Sequence, residues 1–239
     1  VVPVLDAVTE ALRRSGLDLP ALGLAWARAL PTVTLVPAFG LRALPAPGRP
    51  AMALALAACI FPALAPAAHD PATPWVVAAI VEVARGLPLA IAAAVPLWAA
   101  TMAGGIADAL RGTADIVDMP TVEERATPLA VLLSLLACAL FLASGGPAAI
   151  ATALATSPLE GHGLKATADL LVSGIAMSVA IASPVIGASV VIELAAALVN
   201  RATSPTQTAA MIAPLRALGI IAVFAVLLDR MARAWLRAF

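Results

Sequence analysis

Apolar residues in this chain come in long blocks rather than in alternation. Runs of roughly membrane-spanning length lie at approximately 21–41, 50–68, 75–104, 128–155, 168–200 and 208–228, about 20 residues being the usual requirement. None shows the period-2 alternation of barrel strands, and lipid offers no water to the backbone, so these blocks are predicted to be helices. Ahead of them, Leu5 to Leu17 has the spacing of a short amphipathic helix, with Leu5, Val8 and Leu12 on one face and Gly16 as its breaker. The connections carry turn chemistry: Leu44-Pro45-Ala46-Pro47-Gly48, His69-Asp70-Pro71-Ala72-Thr73-Pro74, a charged stretch from Arg111 to Arg125, Ser157-Pro158 to Gly163, and Asn200-Arg201 to Pro205. Pro31, Pro37, Pro88, Pro96, Pro184 and Pro214 interrupt apolar runs, each removing a backbone donor. The pattern predicts an all-α, multi-span membrane protein built of kinked helical hairpins. About six long helices plus the short amphipathic one would form a single helical membrane domain over 1–239.

Composition supports that class. Of 239 residues 62% are hydrophobic and 12% charged, against roughly 25% charged in soluble domains. The formal net charge is zero and the arginines are scattered, which excludes the basic footprint of a nucleic-acid binder. Orientation is not decided by the positive-inside rule. Under six spans, Arg42, Arg49, Arg111, Arg125 and Arg201 fall on one side, and Arg13, Arg14, Lys165, Arg230, Arg233 and Arg237 on the other. Either the spans are miscounted or the protein does not sit as a simple six-pass bundle. The chain opens Val1-Val2-Pro3 without Met, which leaves room for a native start upstream, and Asp6, Glu10, Arg13 and Arg14 interrupt its apolar beginning too early for a secretory signal. Cys59 and Cys138 lie far apart in apolar stretches and read as small buried hydrophobes.

An ionisable group inside a spanning segment costs about 2.5–3.5 kcal/mol on insertion scales and is a functional candidate for that reason. Four places qualify. Glu82 and Arg85 are three residues apart on one predicted helix and can pair beside Gly86, either to ease insertion or to meet a partner subunit. Asp108 and Arg111 repeat the spacing after Gly104-Gly105, and Gly112 offers a left-handed helix end with Arg111 near the C-terminal dipole, as a capped end or an assembly contact. Glu193 and Arg216 stand one on each of the last two runs, almost equally distant from the turn at Ser204-Pro205, so an antiparallel hairpin would bring them to the same depth as a buried bridge. Gly104, Gly105, Gly145 and Gly146 permit close packing between subunits, or ordinary helix packing and turns. Met102, Met177 and Met211 read as core filling in preference to a deformable gate.

Catalysis finds no foothold. His69 and His162 fall in predicted loops without metal-pair spacing, and there is no Gly-x-Ser-x-Gly, His-Glu-x-x-His or phosphate loop. No enzymatic activity, metal or cofactor is expected. A small secondary transporter or channel for a solute is the alternative function, although the acidic residues do not recur at corresponding places in two halves.

A series of small motifs, in order, resembles the T-type subunit family of the type III secretion export apparatus (SctT, YscT, SpaR) and its flagellar counterpart FliR. The series begins with Arg28-Ala29, Pro31 and Val36-Pro37-Ala38-Phe39-Gly40, then Pro45 and Arg49. It continues with Glu82-Val83-Ala84-Arg85-Gly86, and with Trp98 through Ala103-Gly104-Gly105, Asp108 and Arg111-Gly112. It ends with Phe141-Leu142-Ala143-Ser144-Gly145-Gly146, and with Ala182-Ser183-Pro184 through Glu193, Asn200-Arg201, Pro205, Gln207 and Pro214-Leu215-Arg216. Pro147 stands where flagellar members usually carry His, Arg111-Gly112 looks closer to the injectisome branch, and the usual Pro-Gln is split into Pro205-Thr206-Gln207. The resemblance implies a non-enzymatic, multi-pass subunit of the bacterial inner membrane. Its partners would be the P/R-type, Q/S-type and U-type (FlhB-like) subunits, lipid, and unfolded secreted polypeptides in transit through a conduit. It also implies a helical assembly lifted partly out of the bilayer plane, with Glu82, Arg85, Gly104, Gly105, Asp108, Arg111, Gly112, Gly145, Gly146, Glu193 and Arg216 as assembly or gate residues.

Overall fold

A computed structural model describes residues 18–39, 48–64, 73–112, 126–156, 164–202 and 205–236. The described elements are seven helices: α1 Leu19–Leu35, α2 Gly48–Leu64, α3 Trp75–Arg111, α4 Pro128–Ala143, α5 Gly146–Thr156, α6 Leu164–Ala202 and α7 Pro205–Leu236. The predicted amphipathic helix over Leu5 to Leu17, the histidine-containing turns and most of the Arg111 to Arg125 stretch lie outside the described residues.

Among the described residues each apolar run is helical over most of its length. The fourth run, expected continuous over 128–155, is two helices, α4 and α5. Gly145 takes φ of +80°, a left-handed value that ends a helix, and the Ser144 N–H closes the last turn on the Leu140 carbonyl. Among the described residues, α3 and α6 hold stretches long and apolar enough to cross a membrane, and a third span results if the bent pair α4 and α5 counts as one. Two to three such helices, rather than six, is what the described chain supplies by length alone. At 1.5 Å per residue α3 is about 55 Å long, well beyond a hydrocarbon layer of about 30 Å.

Proline does not break these helices. Pro31 lies within α1, Pro88 and Pro96 within α3, Pro184 within α6 and Pro214 within α7, whereas Pro37 follows the end of α1. At Pro184 the missing N–H frees the Ala180 carbonyl, and the Ser183 hydroxyl donates to that oxygen at 2.8 Å. The neighbouring side chain thus replaces the bond that proline removes, which an apolar setting requires. Ser178 and Ser189, both buried, satisfy their hydroxyls in the same local way on the carbonyls of Ile175 and Ile186.

The chain forms two compact units, Val1–Ala94 with Gly145–Ala168, and Val95–Ser144 with Asp169–Phe239. In the first, α1 packs along α2 and α2 packs on α5. Small side chains at Ala53 and Ala57, followed by Ile60, let α2 approach closely on a single stripe. Trp26 donates its indole N–H to the Pro50 carbonyl at 3.2 Å, and Trp75 donates to that of Pro20 at 3.3 Å. In the second unit α4 packs on α7, and the core includes Leu97, Ala103 and Ala107 of α3, Leu133 and Phe141 of α4, Val185 of α6, and Ile220 and Phe224 of α7.

Two expectations about small and soft side chains change. Cys138 is buried, but Cys59 is exposed because it lies off the 53–57–60 stripe of α2. Met102 is 40% exposed on α3 and does not fill the core.

Candidate functional site: two buried charge junctions on α3

Helix α3 carries the pattern acid-x-x-Arg-Gly twice, at Glu82–Gly86 and Asp108–Gly112. Each copy makes a junction with other helices of its own unit.

In the first unit, Glu82 does pair with Arg85 on its own helix, as the spacing predicts. Its other carboxylate oxygen, Oε2, accepts from Arg28 Nε of α1 at 2.6 Å. One carboxylate therefore serves two guanidinium groups. The Arg28 side chain is only 9% exposed and that of Glu82 13%. Arg28 also donates through Nη1 to the Leu154 carbonyl at 3.1 Å. Leu154 lies in the last turn of α5, where carbonyls have no partner within the helix and the dipole favours a cation. Arg28 thus ties α1 to α3 and caps α5. Gly86, four residues after Glu82 on the same face, is the reason α3 can come so close: a Cβ there would collide with the Arg28 backbone carbonyl.

Arg28 was not among the residues singled out as a site, although it is an arginine inside the apolar run 21–41 and met the same criterion as the four places that were. Its partner is 54 positions away, so no local spacing points to the pair.

In the second unit, Asp108 is 0% exposed. Its Oδ2 accepts the Leu129 N–H at 2.7 Å, one of the donors left without a partner at the start of α4. Thr127 occupies the N-cap position of α4 but makes no side-chain cap bond. Asp108 supplies the cap from another helix, and its negative charge suits the positive end of the α4 dipole. Arg111 Nη2 stands 2.8 Å from Asp108 Oδ1. That contact is one of charge without a directed hydrogen bond, since Asp108 Oδ1 and Arg111 Nε are both buried without a hydrogen-bond partner among the described residues. Gly104, one turn before Asp108, faces the same helix start: a Cβ there would lie 2.5 Å from the Ala130 Cα and from the Leu129 oxygen. Helix α3 ends at Arg111, and Gly112 follows with φ of +79°.

The remaining candidates are placed apart from these junctions. A Cβ at Gly105 would meet nothing within 4 Å. Gly145 forms the turn between α4 and α5, and Gly146 is buried at the start of α5. Glu193 is exposed on α6, and the side chain of Arg216 lies outside the described residues, so their bridge is not addressed.

These junctions bury charge against the chain's own helices while leaving apolar surface open. Of the most apolar 18-residue stretch of α3 only 11% is buried within the chain, and of that of α6 only 28%. Residues 19–239 match the family model of bacterial export proteins, family 1. The chain belongs to that family. It is the family of the SctT, FliR and YscT type III export proteins, and it is a family of export-apparatus components rather than of enzymes. No curated protein sequence matches the chain. As a bacterial export protein with long apolar helices, the chain is a membrane protein of protein transport and secretion, whose family associates with other export-apparatus components.

Proposed function

We propose that this export protein is the T-type subunit of a type III export gate in the bacterial inner membrane, where it forms part of the conduit for unfolded secreted proteins. It is a multi-pass subunit, a single membrane domain of kinked helical hairpins, and its partners are the P/R-type, Q/S-type and U-type subunits. Its role is structural, with energy supplied elsewhere in the machine. The observation that carries this reading is the imbalance on α3. Its acidic side chains are buried in junctions within the chain, yet only 11% of its most apolar stretch is covered. A subunit that works alone in lipid would bury its long helices more fully against each other. Neighbouring subunits and lipid are left to cover what the chain does not. Gly105, exposed Met102 and the faces around Gly145 are positions where such neighbours would approach.

Affinity purification of the tagged chain from its native host in mild detergent, followed by mass spectrometry, tests the proposal. Recovery with small hydrophobic P/R-type and Q/S-type subunits is expected. Recovery of the chain alone, together with solute flux in liposomes holding only this protein, would move the reading to the transporter.

A further inference from the structure

The charges of the first junction do not cancel. Arg28, Glu82 and Arg85 together hold two cations and one anion. The two arginines are not equivalent. Arg28 is enclosed and engages both Glu82 and the Leu154 carbonyl. Arg85 engages Glu82 alone among the described residues, and 35% of its side chain is open. A guanidinium has five N–H donors in a rigid fork, more than the contact of Arg85 with Glu82 takes up among the described residues.

The surroundings of that open face are apolar. Val77 and Val81 share its stripe on α3, and both are exposed. Arg85 lies in α3, a helix long and apolar enough to cross a membrane. Within such a helix an unneutralised cation is expensive. A carboxylate on a facing helix would cancel the surplus and fit the guanidinium fork with two parallel hydrogen bonds.

We propose that the Arg85 face of α3 is a subunit interface, and that it receives an Asp or Glu side chain carried by an apolar helix of a neighbouring membrane subunit. The inference rests on the reading of the chain as one subunit of an export assembly. It identifies which charge of the chain reaches outward and the chemistry of what meets it.

The test places a photo-crosslinking residue at Val81 of the full-length chain in its native host, with Arg85 intact, Arg85→Lys or Arg85→Gln. With Arg85 intact, the adduct should map to a membrane helix bearing Asp or Glu within one turn of the crosslink. Arg85→Gln leaves the Arg28–Glu82 pair neutral and complete, so the chain should keep its level, with its thermal midpoint lowered by no more than about 2–4 °C, while adduct and co-purified partner fall by about tenfold or more. Arg85→Lys should retain an intermediate amount. Arg85→Glu should be rescued by exchanging the partner's acid for Arg. Adducts to lipid alone, adducts to a helix without an acid, or full co-purification of Arg85→Gln would each overturn the proposal. Recovery with other export subunits but with lipid adducts at Val81 overturns this inference and leaves the export-gate reading standing. Recovery of the intact chain alone overturns both.

Discussion

Replacing Glu82 by Gln keeps the shape of the side chain and removes its charge, leaving Arg28 and Arg85 facing one neutral amide. The magnitude follows from burial. Arg28 is 9% exposed at its side chain and Glu82 13%, so their contact belongs to the buried class, in which removing one partner costs about 3–5 kcal/mol. The Leu154 carbonyl still accepts from Arg28, which places the cost near the lower end, about 3 kcal/mol. The Arg85 contact is 35% exposed and adds only about 0–1 kcal/mol. By the scaling for chains of this size, a loss of about 3 kcal/mol lowers the thermal midpoint by roughly 6–12 °C. Fluorescence-detected size exclusion of detergent-solubilised protein after heating reads that midpoint. Arg85→Gln should shift it by no more than about 2–4 °C, because the pair that ties α1 to α3 survives. The double variant Arg28→Gln, Glu82→Gln removes both buried ions and should recover part of the loss seen with Glu82→Gln alone. If Glu82→Gln melted with the wild type, or no lower than Arg85→Gln, the carboxylate would not be the centre of the junction and the reasoning would fail.

The same assay separates the other positions. Gly104→Ala forces a Cβ into the backbone of Ala130 and Leu129 and should destabilise by about 1–3 kcal/mol, whereas Gly105→Ala meets nothing within 4 Å and should gain roughly 0.5–1 kcal/mol from helix propensity. If Gly105→Ala nonetheless abolished co-purification, that face would be a subunit contact. Asp108→Asn keeps an acceptor for the Leu129 N–H and should cost about 1–3 kcal/mol, less than Asp108→Ala, which strands both that donor and Arg111 at about 3–5 kcal/mol; equal losses would mean that the cap contributes nothing. For the proposed Glu193–Arg216 bridge, Glu193→Gln and Arg216→Gln should each impair assembly, and the double variant should do better than the worse single; a double variant no better would remove support for direct pairing.

Local chemistry alone was enough to predict an all-helical chain. Block-like apolar runs can satisfy the backbone in lipid only by helix formation, so the helical class of the runs could be read directly, whereas the count of six could not, the fourth run being two helices. The pairs Glu82 with Arg85 and Asp108 with Arg111 were legible too, because a spacing of three fixes neighbours on one helix face. Even the break at Gly145 had a visible sign in Ser144-Gly145-Gly146, but a glycine pair permits a left-handed turn without requiring it. Tertiary structure decided the rest. That Arg28 completes the Glu82 junction and caps α5, that Asp108 caps α4, and that Gly86 and Gly104 sit where another backbone passes, all depend on which helices lie side by side. Contacts between residues 28 and 82, or 108 and 129, are set by packing between helices, and helical periodicity carries no record of which neighbour a face will meet.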